Sequence, residues 1–138
     1  MKTYRALLGE LSAQRLSAAD ILPVGGIDPG TLEKRFTSPF SRGSVIAKTG
    51  TLPRTGGGVS TLVGQTRTHD GGVLLFVIFN ERGSVRRFRE AQDALVTAVQ
   101  HMRGGPISFN YQPQALAMRL AGTEVDPAKA EEFEPAAN

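Results

Sequence analysis

Residues 44–52 read SVIAKTGTL, residues 59–68 read VSTLVGQTRT, and residues 73–79 read VLLFVIF. These three runs decide the fold. The first two are rich in Val, Ile and Thr, whose branched side chains pack well on a pleated sheet. The third holds apolar residues without alternation from Val73 to Phe79, which predicts a strand covered on both faces. Asp70-Gly71-Gly72, between the second and third runs, is a strong hairpin signal. Residues 53–58 (PRTGGG) join the first two runs as a longer hairpin. The pattern gives three consecutive antiparallel strands.

Helices are predicted on either side. Tyr4, Leu7, Leu8 and Leu11 follow the i, i+3, i+4, i+7 spacing of an amphipathic helix. Pro23, Gly25 and Gly26 break that pattern. Residues 23–43 read as irregular structure, with one short helix over residues 31–36. After the third strand, Ser84 is a suitable N-cap. Phe88, Ala91, Leu95, Val99 and Met102 then recur at steps of three and four, which predicts a long helix with those residues buried. Gly104, Gly105 and Pro106 end it. The fold class is therefore α+β, an antiparallel sheet flanked by helices. Residues 1–105 form that unit. Residues 106–138 read as a C-terminal extension, with a short helix over 114–121 and an acidic end expected to be mobile.

Composition narrows the chemistry. The chain has 138 residues, 40% hydrophobic and 21% charged, which suits a folded domain. It contains no cysteine, so disulfides, thiolate metal sites and cysteine nucleophiles are excluded. His69 and His101 are its two histidines, and a histidine-rich metal cage is disfavoured. No apolar run is long enough to span a membrane. Arg5 and Glu10 interrupt the first apolar stretch, which is not a secretion signal. Residues 123–138 carry Glu124, Asp126, Glu131, Glu132 and Glu134 against Lys129, so they are −4, and the rest of this +3 chain is +7. A basic body attracts anionic ligands without choosing among them. Arg86, Arg87 and Arg89 spread around a helix without interleaved stacking aromatics. They read as solvated surface, and nucleic acid is not the expected partner.

The segment Ala47-Lys48-Thr49-Gly50-Thr51-Leu52 carries the chemistry. A lysine inside a strand followed by Thr-Gly-Thr suits recognition of a carboxylate: the ammonium supplies charge and the hydroxyl a directed hydrogen bond. Gly50 lets a ligand backbone approach closely. On an edge strand, an extended peptide could add alongside. Strict alternation places Lys48 and Thr49 on opposite faces.

The ordered series LPVGGIDPGTLEKRF, SVIAKTGTL, GVSTLVGQ and GGVLLFVIFNE resembles the C-terminal part of the penicillin-binding D-alanyl-D-alanine carboxypeptidases, of the low-molecular-mass class C group, peptidase family S13. The resemblance covers roughly residues 1–103. It implies a partial β-lactamase/transpeptidase-like domain and a serine-type carboxypeptidase or endopeptidase that cleaves peptidoglycan stem peptides and binds β-lactams, without a metal or organic cofactor. It also implies a place outside the cytoplasm, periplasmic or extracellular. Lys48, Thr49 and Gly50 would be the third of three active-site motifs. Lys48 would hold the anionic end of the ligand and help to position proton transfer. Thr49 would bond the terminal carboxylate, and the Thr51 N–H would be an oxyanion donor.

Two of the family's motifs are missing. No serine here has a lysine three residues later, so the chain carries no Ser-x-x-Lys nucleophile. Ser108-Phe109-Asn110 matches Ser-x-Asn in letters but follows the third motif, and reads as coincidence. Residues 53–57 lengthen the hairpin after the motif, with Arg54 as an extra cation at its rim. The glycines 56–58 lack the lysine and helix of a phosphate loop. The family's sheet has five strands, two of them from the N-terminal part and pairing beyond the last strand. The strand over residues 73–79 would thus keep an unpaired apolar edge, for the rest of the parent protein or for a second copy. A different class of function is a non-catalytic module that captures peptide C-termini along the Lys48 strand. A third is an anionic-surface binder driven by the basic body, indifferent to Lys48.

Overall fold

The computed structural model describes residues 1–53 and 57–111. Helix α1 spans Lys2–Ala13, strand β1 Val45–Leu52, β2 Val59–Thr68, β3 Gly72–Glu81 and helix α2 Val85–Met102, with a 3-10 turn at Ala18–Asp20. The strands form one antiparallel sheet in the order β1-β2-β3. The expected α+β architecture is present. Arg54 and the helix expected over residues 114–121 lie outside the described residues.

Register fixes the two faces of the sheet. Lys48 pairs with Val63, and Val63 with Val77; Ala47 pairs with Gly64, and Gly64 with Phe76. Side chains alternate along each strand. Val45, Ala47, Leu62, Phe76 and Ile78 therefore share one face, where they pack with Val96 of α2 and with Leu32 and Phe36. Ile46 points the other way, into a second cluster with Ala18, Ala19 and Val24 that Leu8 of α1 joins. A side chain on Gly64 would strike the Ile46 carbonyl and Ala47, which explains a glycine in the middle strand.

Two polar anchors join α2 to the sheet. The Gln92 side-chain amide donates to the Ser60 carbonyl at 3.1 Å and to Asn80 at 2.9 Å. That of Gln100 donates to Ser44 at 2.8 Å and Thr66 at 2.6 Å. These bonds correct the expected stripe. The buried face of α2 is Gln92, Val96 and Gln100, whereas Leu95 is 53% exposed and Met102 82%. Serine and threonine hydroxyls on the sheet make glutamine the fitting residue there. Hydropathy periodicity scores such a face as solvent.

Two other expectations change. Residues 31–36 form turns, not a helix: Gly30 precedes them, and the Gly26 N–H bonds the Leu32 carbonyl across the loop. Among the described residues, strand β3 is covered on the α2 side alone. On the other face Val73, Val77 and Phe79 are 51%, 52% and 61% exposed, and nothing in the described chain lies over them. Its apolar character on both faces is real, but one covering layer is absent from the described residues.

Beyond α2, Gly104 and Gly105 adopt positive φ and reverse the chain. Residues 106–111 return along the sheet: Pro106 bridges Thr68, and the Ile107 N–H donates to the Arg67 carbonyl. Phe109 and Tyr111 pack on the second cluster, and the Tyr111 hydroxyl donates to Asp28 at 2.8 Å.

Candidate active-site strand

Strand β1 is an edge strand, and half of its outer edge is already paired. The Arg67 N–H donates to the Ser44 carbonyl, so the even-numbered residues of β1 bond to β2. The odd-numbered ones turn their peptide groups outward. The outer edge is closed first by residues 23–25: the Gly25 N–H donates to the Val45 carbonyl at 2.8 Å, and the Ala47 N–H to the Pro23 carbonyl at 3.1 Å. Val24 forms an antiparallel bridge with Ile46. Past Pro23 that cover stops. Thr49 and Thr51 present N–H and C=O groups to the open side, and no backbone partner closes on them among the described residues.

Lys48, Thr49, Gly50 and Thr51 thus lie together at the open half of the edge. Lys48 is exposed, and its ammonium donates to the Thr49 carbonyl at 2.7 Å. The lysine starts on one face and curls round the edge, which brings it to its neighbour despite strict alternation. Thr51 is tied from the α2 side, where Arg89 donates to its hydroxyl at 3.1 Å. Gly50 has a second reason to lack a side chain, because a Cβ there would collide with the Thr61 hydroxyl across the pair.

A cleft of about 630 Å³ opens beside Lys48, with Ile21, Leu22, Pro23 and Pro29 among its walls. Asp28, at its rim, is 9% exposed and fully engaged, since it accepts the Val24 N–H at 2.7 Å and the Tyr111 hydroxyl. Burial first, and then this carboxylate, push Tyr111 up to about 12. Sequence reasoning missed the edge-closing role of Pro23 and the tether from Arg89. The LPVGG stretch before a β-branched strand could have suggested the first; a lone surface arginine gives no signal for the second.

The other candidates are scattered. His69 and His101 are exposed, as are Arg86, Arg87 and Arg89. Ser108 lies beside Gly43 on the returning segment. No helix among the described residues is long and apolar enough to cross a membrane.

The family profile described as D-Ala-D-Ala carboxypeptidase 3 (S13) matches residues 8–102. The chain belongs to the S13 family. One solved structure that this S13 chain resembles is a penicillin G-acylated predatory endopeptidase from Bdellovibrio bacteriovorus in complex with an immunity protein, with a TM-score of 0.66 and 22% identity. The match covers 77% of this S13 chain and 28% of that chain. At that identity the likeness speaks for the fold. No curated protein matches.

Proposed function

We propose that this chain is the carboxylate-binding part of a serine-type D-alanyl-D-alanine carboxypeptidase or endopeptidase that acts on peptidoglycan stem peptides outside the cytoplasm. The observation that carries the reading is the vacant half-edge of β1 with Lys48 curled onto it. A peptide laid along Thr49 and Thr51 gains backbone hydrogen bonds. Its terminal carboxylate meets the Lys48 ammonium and the Thr49 hydroxyl. The Thr51 N–H faces the scissile carbonyl and stabilises the oxyanion that forms on attack.

The nucleophile comes from outside these residues. A Ser-x-x-Lys serine would add to the carbonyl and expel the terminal residue as its amine. Water would then hydrolyse the ester. Penicillin would acylate the same serine. The rest of such an enzyme would pair with the open edge of β3 and cover Val77 and Phe79. On its own, the chain binds and does not cleave.

Titration with a D-Ala-D-Ala peptide tests the reading. Binding that Lys48→Ala abolishes supports it, and indifference to Lys48 overturns it. A covalent adduct of labelled penicillin with these 138 residues would refute the claim that the nucleophile lies elsewhere. The runner-up is a non-catalytic module for peptide C-termini, favoured by the absence of any Ser-x-x-Lys. An upstream reading frame that encodes Ser-x-x-Lys and Ser-x-Asn decides for the enzyme.

A further inference from the structure

Thr51 carries the outward N–H that the proposed function uses, yet the ladder holds this residue weakly. In an antiparallel pair, opposite residues alternate between rungs closed by backbone hydrogen bonds and rungs that have none. The bond from the Arg67 N–H to the Ser44 carbonyl sets that alternation on β1 and β2. Thr51 lies opposite Ser60, on a rung without backbone bonds. The peptide plane that bears its N–H is reached by the ladder through the Gly50 carbonyl alone. Gly50 is also the residue type with the greatest backbone freedom. The strand stops one residue later, at Leu52, and Pro53 follows.

Helix α2 supplies what this rung lacks. Opposite residues on a rung without backbone bonds bring their side chains close together. Both hydroxyls here turn to the α2 side, Ser60 buried and Thr51 half-buried. Arg89 and Gln92, at i and i+3, stand on the same side of the helix. Arg89 donates to the Thr51 hydroxyl at 3.1 Å, and Gln92 donates to the Ser60 hydroxyl at 3.2 Å. Arg35 in turn donates to the Gln92 side-chain oxygen at 3.1 Å and holds the next residue, Asp93. The Ser60 half of the rung is therefore fixed by a buried network. The Thr51 half depends on Arg89. Among the described residues the Arg89 guanidinium has no carboxylate partner, so the threonine hydroxyl decides where it points.

We infer that Arg89 is a positioning residue for the oxyanion site. Through the Thr51 hydroxyl it steadies the peptide plane whose N–H meets the scissile carbonyl. The inference rests on the proposed function of the same strand. It separates Arg89 from Arg86, which is paired with Glu90 along the helix surface.

The test follows the Thr51 amide of the full chain by NMR relaxation, first without ligand and then with an acylated D-Ala-D-Ala peptide. In the wild-type chain its order parameter should be that of rigid backbone, about 0.85, and in Arg89→Ala it should fall towards about 0.6. The amides of Ile46 and Ala47 and the urea midpoint should not move, whereas a general loosening of the fold would shift them. Affinity for the peptide should drop about threefold or more, as for one modest hydrogen bond. Thr51→Val keeps the N–H and removes the acceptor, so adding Arg89→Ala to it should cost nothing further. An unchanged order parameter at Thr51 in Arg89→Ala would overturn the inference. So would a loss of affinity that is equal with and without the Thr51 hydroxyl, or an Arg89→Ala chain that binds the peptide as tightly as the wild type. A wild-type chain that does not respond to the peptide would overturn the carboxylate-site reading itself, and the role of Arg89 with it.

Discussion

Arg35, in the loop before the sheet, grips Asp93 on helix α2, with Nε 2.8 Å from the carboxylate. The guanidinium also reaches Gln92 at 3.1 Å and lies 5.6 Å from the centre of the Phe36 ring. Arg35 is 8% exposed and Asp93 30%. Asp93→Ala would leave a buried cation without its counter-charge. The exposure of Asp93 softens the loss, so a destabilisation of about 2 kcal/mol is expected, below that of a fully buried pair. Urea unfolding should show a lower midpoint at an unchanged slope.

Gln92→Leu makes the face of α2 more apolar and should still destabilise the chain. The Ser60 carbonyl and Asn80 lose their donor, and Arg35 loses a second acceptor. About 1–3 kcal/mol is expected. Because Gln92 and Asp93 share Arg35, the double variant should depart from additivity. Additive losses would show that the two contacts act separately.

The two tyrosines give a pH signature. Burial pushes Tyr4 up to about 12, and burial together with Asp28 does the same for Tyr111. In the unfolded chain both ionise near ~10. Between those values the folded chain holds protons that the unfolded one has released. Stability from this source is complete below pH ~10 and is lost as the pH rises towards 12. Absorbance of the phenolate reads the native midpoints directly. Asp28→Asn should lower the midpoint of Tyr111 and leave Tyr4 in place.

Strand β3 sets the behaviour of the chain in solution. Among the described residues its outer edge is unpaired, and the strand is uncharged from Gly72 to Asn80. Beside it, a groove of about 510 Å³ runs between Leu74, Phe76 and Ile78 and the α2 residues Leu95 and Val99. Such edges associate. Sedimentation should show a concentration-dependent species larger than a monomer, and Val77→Lys should disperse it with the helix content unchanged. A monodisperse wild-type monomer with protected amides along β3 is the contrary result.

The sequence told most about what depends on neighbours along the chain. Asp70-Gly71-Gly72 marked a hairpin, and Ser84 with Gly104-Gly105 bounded α2. It told less about what depends on partners across space. Leu95 and Met102 carry the periodicity of a buried stripe, yet Gln92 and Gln100 take that place because Ser60, Ser44 and Thr66 wait opposite them. The Lys-Thr-Gly letters lie on β1, an edge strand. They did not reveal that residues 23–25 cover half of its edge, since a proline carbonyl that completes a ladder leaves no mark in composition.

The uncovered face of β3 also has a calorimetric consequence. The heat capacity of unfolding measures apolar surface newly given to water. Val73, Val77 and Phe79 already meet water in the folded chain and add little to it. The stability curve should therefore be flatter than for a closed domain of this length, with a smaller denaturant slope. The missing heat capacity should reappear as a negative change when a partner covers that face.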